Sequence, residues 1–258
     1  MPKGSTQTRL ENIAKEGAQV DIQEMNYDDC VRLAAKEADE TPRGVMVQDT
    51  AWDGYEEIPS WIMQGYGTMA MEAGEQLKEY GCERPTHIFV QAGVGSLAGA
   101  VVGYFSNLYA DNPPVFVVVE AEAAACLYKG AAAGDGQIRI VDGDMETIMA
   151  GLACGEPNTI SWDILKNHVK VFIAAPDWVA ANGMRMLGAP IKGDAPVTSG
   201  ESGAAPFGAL AAIMSMDEYA DLRKDIGLDE NSRVLLFSTE GDTDPDRYKN
   251  IVWKGLDK

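Results

Sequence analysis

The chain has 258 residues, 46% hydrophobic and 24% charged, a balance that supports a packed core and excludes disordered or collagen-like classes. Lys+Arg 21 against Asp+Glu 40 leaves a net charge of −19, which repels phosphate backbones and anionic lipid, so neither nucleic acid nor membrane is an expected partner. No apolar run reaches the roughly 18 residues of a membrane helix, and MPKGSTQTRL lacks the apolar centre of a secretory signal, which predicts a cytoplasmic location.

Leu10, Ile13 and Ala14 fall at helical spacing within residues 5–16, GAQVDI at 17–22 reads as a short strand, and NYDDCVRLAAKEA at 26–38 opens as a capped helix. GVMVQDT at 44–50 reads as a strand ending in an acid, and residues 58–81 form a long helix stopped by glycine. THIFVQAG at 86–93 is a buried strand, 96–109 a tightly packed Ala/Gly-rich helix, and PPVFVVVE at 113–120 a second apolar strand of the parallel, doubly covered kind. Residues 129–161 are rich in Gly, Asp and small side chains with little periodicity, a loop-rich functional candidate. SWDILKNHV resumes a helix, VKVFIAAPD at 169–177 is a strand, and DWVAANGMRML is a helix. Residues 201–216 are a helix, and RVLLFSTEGDTD at 233–244 is a last strand running into a turn. The alternation predicts an α/β fold on a mainly parallel sheet, with a domain boundary near residue 50.

Gly93, Gly95 and Gly99 follow the strand at 86–93 directly. Such a turn lets backbone N–H groups and the positive end of the next helix face a phosphate. Their G-x-G-x-x-x-G spacing is one residue longer than the dinucleotide fingerprint, although Glu120 ends the next strand where a ribose-binding acid would sit. On this stretch alone, NAD binding and a purely structural glycine turn both remain open. Cys30, Cys82, Cys126 and Cys154 form no CxxC pair, so free thiols are expected, with a Cys126–Cys154 disulfide as the alternative. His87 and His168, the only histidines, sit in or beside apolar segments and read as structural.

The strings at 48–66 (QDTAWDGYEEIPSWIMQGY), 91–99 (QAGVGSLAG), 143–158 (GDMETIMAGLACGEPN), 199–204 (SGESGA) and 238–244 (STEGDTD) resemble the diaminopropionate ammonia-lyases, from MPKGS through IVWKG. These belong to the tryptophan synthase β-like pyridoxal-phosphate enzymes, fold type II. The resemblance implies pyridoxal 5′-phosphate as cofactor, a small amino-acid substrate, a homodimer, and a large domain with a smaller one. Residues 1–47 are then part of the small domain and 48–258 the large cofactor-binding domain. It implies that the N–H groups of Gly93, Val94, Gly95, Ser96 and Leu97 cradle the cofactor phosphate.

Asp49 matches a family acid that transfers protons to or from substrate, a task suited to a carboxylate whose pKa burial can tune. Ser238 matches the position of a neutral hydroxyl or thiol partner of the pyridine nitrogen, which favours elimination over transamination. Glu201 opens a helix facing the same crevice and reads equally well as the cap of that helix. Tyr66, Trp52 and Trp61 are candidate pocket residues or core. The family's Schiff-base lysine, a second catalytic aspartate and an Asn-containing substrate loop are expected upstream of MPKGS. Lys3, Lys36, Lys78, Lys129 and Lys192 lie in no string that matches the lysine motif, so none takes that role. A non-catalytic phosphate-ligand or assembly module derived from such an enzyme is the alternative.

Overall fold

A computed structural model describes residues 1–257. The chain runs through α1 (Gln7–Ala14), α2 (Tyr27–Glu40), α3 (Glu57–Glu79), β1 (His87–Gln91), α4 (Ser96–Leu108), β2 (Val115–Ala121) and α5 (Cys126–Ala133). It continues through α6 (Thr159–His168), β3 (Val169–Ala175), α7 (Asp177–Gly188), α8 (Glu201–Ser215), α9 (Ala220–Ile226), β4 (Val234–Leu236) and α10 (Pro245–Val252).

The strands form one parallel sheet in the order β3-β2-β1-β4. HIFVQ and VFVVVEA lack the polar alternation of a half-exposed sheet because both faces are covered, and every residue of β1 is buried. Alternate side chains feed two cores. Phe89, Val117 and Val119 pack with Val179, Met184, Ala205 and Ile213 of α7 and α8 on one face. Ile88, Val90, Phe116 and Val118 pack with Ala70, Val101, Phe105 and Leu165 of α3, α4 and α6 on the other. Helices α7 and α8 approach closely because each offers a glycine at the contact: a Cβ on Gly208 would lie 2.0 Å from the Val179 carbonyl oxygen. β4 joins β1 in the register His87↔Val234 to Phe89↔Leu236, so β1 is closed on one side by a segment far along the chain.

Two expected strands do not form. Residues 17–22 and 44–50 carry no ladder, and Val45 and Val47 are 67% and 68% exposed. A strand is stable only when its backbone groups find a neighbouring ladder, and neither segment joins the four-stranded sheet; beside 17–22 only isolated backbone bonds form, such as that from the Gln23 N–H to the Met1 carbonyl at 2.8 Å. Conversely, α5 occupies the start of the expected loop region. The short helices α9 and α10 stand where sequence reading placed nothing regular. α10 carries an N-terminal signature in its Asp244 cap and following Pro245.

Candidate active site

Between β1 and α4 the chain turns through residues 92–95 at the carboxyl edge of the sheet, where open parallel sheets place ligands. Gly95 sits at φ +98°, a left-handed conformation that points the first turn of α4 back across the strand end. The first intrahelical bond is Gly99 N–H to the Gly95 carbonyl, 2.7 Å. The N–H groups from Gly93 to Leu97 find no oxygen acceptor among the described residues, although Val94, Gly95 and Ser96 are buried. Buried backbone donors left unpaired are rare unless a ligand or water completes them. A row of five at the positive end of a helix fits a phosphate dianion.

Asp49 is fastened to this loop through its backbone. Its carbonyl accepts from Ser96 Oγ and from Asn158 Nδ2, both at 2.7 Å. Asn158 Nδ2 also reaches Ser96 Oγ at 2.8 Å, and the Asn158 N–H donates to the Val94 carbonyl at 2.8 Å. The same residue caps α6 by accepting from the Ser161 N–H at 2.9 Å. Fully buried, Asn158 therefore locks the Asp49 segment, the glycine loop and α6 into one unit. Sequence reading did not single it out, and the cap position ahead of TISW is its one local signal.

The Asp49 side chain accepts from Tyr66 Oη at 3.0 Å. Burial, then the charge of Asp49 and this hydrogen bond, push the Tyr66 hydroxyl up to about 12, which keeps it a proton donor. Burial also raises the Tyr27 hydroxyl, with Cys154, Asp49, Asp28 and Tyr66 adding to the effect. Two phenols thus face the Asp49 side chain, whose other oxygen has no hydrogen-bond partner among the described residues.

Ser238 follows β4 at the same sheet edge, and its Oγ donates to Ser199 Oγ at 2.8 Å. Gln91, the last residue of β1, donates from Nε2 to the Phe237 carbonyl at 3.0 Å and to Thr239 Oγ1 at 2.9 Å. The strand end that carries Ser238 is thereby tied to the strand that feeds the glycine loop. Glu201 does not cap α8. That task falls to Glu240, whose Oε1 accepts from the N–H groups of Ser202 at 2.6 Å and Gly203 at 3.3 Å. The Glu201 carboxylate, 4% exposed, is instead gripped by Arg9 Nη2 at 3.4 Å and Arg247 Nε at 3.2 Å.

Glu120 cannot serve a ribose. It is 0% exposed, and its oxygens accept from the N–H groups of Leu127 at 2.8 Å and Tyr128 at 2.7 Å, capping α5 from within the core. Its role is local, and the acidic half of the NAD reading falls with it. Burial pushes its carboxyl up to about 8, against the opposing pull of the two N–H groups and the Cys126 thiol. Because the folded value lies above the ordinary 4.5, the folded state binds the extra proton more tightly. The stabilisation is therefore full at low pH and lost as pH rises through about 8. We expect the urea midpoint to fall between about pH 5 and pH 8, with much of that slope gone in Glu120→Gln, which is neutral throughout. An unchanged slope in the variant refutes this account.

His87 is buried and bonded to the Ile226 carbonyl at 2.9 Å, a structural role as expected. Cys126 and Cys154 are free buried thiols, the Cys126 sulfur lying 3.7 Å from the Cys154 carbonyl oxygen. Trp61 is exposed on α3.

A parallel sheet with a glycine loop at its carboxyl edge and an acid docked beside it agrees with what sequence comparison finds. The model of the family described as pyridoxal-phosphate dependent enzyme matches residues 1–240, and the chain belongs to that family, with the fold type II architecture. Diaminopropionate ammonia-lyase of Salmonella typhimurium is 55% identical over 256 residues, which are 99% of this chain and 63% of the relative. The Escherichia coli K12 protein of the same name is 49% identical over 255 residues, again 63% of its length, so the chain spans under two thirds of these relatives. Among solved structures, holo diaminopropionate ammonia lyase from Escherichia coli superposes with a TM-score of 0.91 at 46% identity, covering 100% of this chain and 63% of that one. A fungal L-serine ammonia-lyase from Rhizomucor miehei shares the fold at a TM-score of 0.74 and 19% identity, over 97% of this chain and 73% of its own.

Proposed function

We propose that residues 1–258 form the cofactor-holding part of a pyridoxal 5′-phosphate ammonia-lyase that converts 2,3-diaminopropionate to pyruvate and ammonia in the cytoplasm, as a homodimer. The observation that carries this reading is the row of N–H groups at 93–97 that find no oxygen acceptor among the described residues, with the Asp49 segment bonded onto it. The relatives at 49–55% identity supply the substrate.

When bound, the cofactor withdraws electrons from the substrate α-carbon so that its proton and then the β-amino group can leave. Gly93, Val94, Gly95, Ser96 and Leu97 hold the phosphate through backbone N–H groups. Asp49 moves a proton at the substrate carbon, with one of its oxygens held in place by Tyr66. Ser238, whose hydroxyl donates to Ser199 in this structure, would turn that hydrogen to the pyridine nitrogen as its neutral partner. Glu201 acts on the cofactor side through the first turn of α8, which its two arginine contacts hold against α1 and α10. We assign the cofactor lysine to none of the residues 1–258, and the domain division at residues 47 and 48 belongs to the same reading.

The test is pyruvate release from 2,3-diaminopropionate in a coupled assay. The polypeptide 1–258 alone is expected to give none, because no amine in it matches the lysine motif. Joining it to the segment that completes the relatives' length is expected to give turnover with a bound cofactor. A completed protein that keeps the cofactor but makes no pyruvate favours the non-catalytic module, and pyruvate from 1–258 alone places the lysine within this chain.

A further inference from the structure

Every polar atom of the buried Asn158 side chain is committed. Its Nδ2 donates to the Asp49 carbonyl and to Ser96 Oγ, with Met63 Sδ 3.7 Å away, and its Oδ1 accepts from the Ser161 N–H. These partners fix which way the amide points: with O and N exchanged, an oxygen would face the Asp49 carbonyl and a nitrogen would face an N–H. The same turn also grips the glycine loop from behind. The Asn158 N–H donates to the Val94 carbonyl at 2.8 Å, and Ser161 Oγ donates to the Gly95 carbonyl. The peptide bonds are trans, and in a planar trans unit the N–H points opposite to the C=O. Drawing the Val94 and Gly95 carbonyls towards α6 therefore aims the Gly95 and Ser96 N–H groups away from it. Ser96 spends its one hydroxyl hydrogen on the Asp49 carbonyl, so its backbone N–H is the donor left for a ligand.

We propose that Asn158 is a positioning residue that sets two groups at once: the N–H row that takes the cofactor phosphate, and the acid Asp49. It lies behind the loop with no surface of its own for a ligand, so it acts through its partners. One side chain then makes the placement of the acid depend on the shape of the phosphate cradle. What the cradle holds and what the acid does rest on the ammonia-lyase reading; the hydrogen bonds through Asn158 do not. Two variants separate this role from capping α6, because Asp and Ser cap helices about as well as Asn. Asn158→Asp keeps the volume and the cap but sets an acceptor where Nδ2 donates. Asn158→Ser keeps the cap and offers one hydrogen in place of two.

The test is equilibrium dialysis of the completed enzyme with pyridoxal 5′-phosphate, beside kinetics with 2,3-diaminopropionate. Both variants are expected to bind the cofactor about tenfold or more weakly than the unaltered protein. For Asn158→Ser that ratio is expected to stay flat between about pH 5.5 and 8.5; taking the ratio cancels the phosphate's own ionisation near about pH 6. For Asn158→Asp it is expected to widen as pH rises. The protonated carboxyl is neutral and donates one hydrogen bond, whereas the ionised one repels the Asp49 carbonyl and the phosphate. With cofactor saturating, Asn158→Ser is expected to lower kcat about tenfold when Asp49 is present, and less than about twofold in Asp49→Asn, where no acid remains to be placed. Unchanged affinity in the folded variants, or a kcat loss that is the same with and without Asp49, overturns the proposal. Asn158→Ser decides the matter if Asn158→Asp melts early. Pyruvate release with retention and kcat both insensitive to residue 158 sinks this assignment alone. Retention that depends on residue 158 without pyruvate sinks the ammonia-lyase reading and leaves the cradle role standing, and no retention at all sinks both.

Discussion

Asp49→Asn in the completed enzyme is expected to lower kcat by roughly 10²-fold or more while leaving cofactor retention within about twofold, the range set by loss of a positioned general acid–base. The asymmetry follows from how Asp49 is held. Its contacts to Ser96 and Asn158 are made by the backbone carbonyl, which the substitution leaves alone. The side-chain oxygen that accepts from Tyr66 has a carboxamide equivalent. Only the capacity to carry a proton disappears. Single-turnover kinetics with absorbance readout separate the two quantities, and undiminished turnover removes Asp49 from the mechanism.

Gly95→Val is expected to abolish cofactor retention and to lower the melting temperature, for a reason that lies behind the loop rather than in front of it. A Cβ at this position points away from the row of N–H groups into the core, 3.1 Å from Ser161 Oγ, 3.2 Å from Leu165 Cδ1 and 3.3 Å from Leu127 Cδ1. A β-branched side chain therefore overpacks the α4–α6 contact, at about 1–3 kcal/mol, and also sits at φ +98°, for about 1–3 kcal/mol of backbone strain. The loop relieves both by shifting. Loss of two phosphate hydrogen bonds at about 1.5–3 kcal/mol each is then roughly a 10²-fold or greater loss of affinity. Equilibrium dialysis with pyridoxal 5′-phosphate, beside thermal melting, checks both effects. Wild-type affinity in this variant contradicts the cradle assignment.

The path from β1 through the glycines into α4 is legible because each step is local: an unbroken apolar run, a residue that tolerates positive φ, then a helix-forming stretch. Asp49 is legible only through the company of the strings around it. The link that makes the site a unit is not, since Asn158 lies 62 residues from Ser96 and 109 from Asp49 in sequence and only the tertiary fold brings the three together. Glu120 shows a different limit. An acid at a strand end has the position for binding ribose, but α5 starts where sequence reading expected the approach to a loop, and its first turn takes both oxygens. GAQVDI and GVMVQDT have strand composition and stay irregular, because composition cannot supply a neighbouring ladder.

The sheet order has a consequence in time. As the chain is synthesised, β1 can pair with β2 almost at once, since the strands are separated by one helix. Its other edge waits for β4, about 140 residues later, on the order of 7–30 s at ~5–20 residues per second. During that interval one edge of HIFVQ, a strand buried throughout in the finished fold, is exposed to any extended segment that reaches it. Expression yield should therefore depend on how quickly translation passes residues 92–233, and slow codons placed there should divert chains into aggregates while leaving the folded protein's stability unchanged.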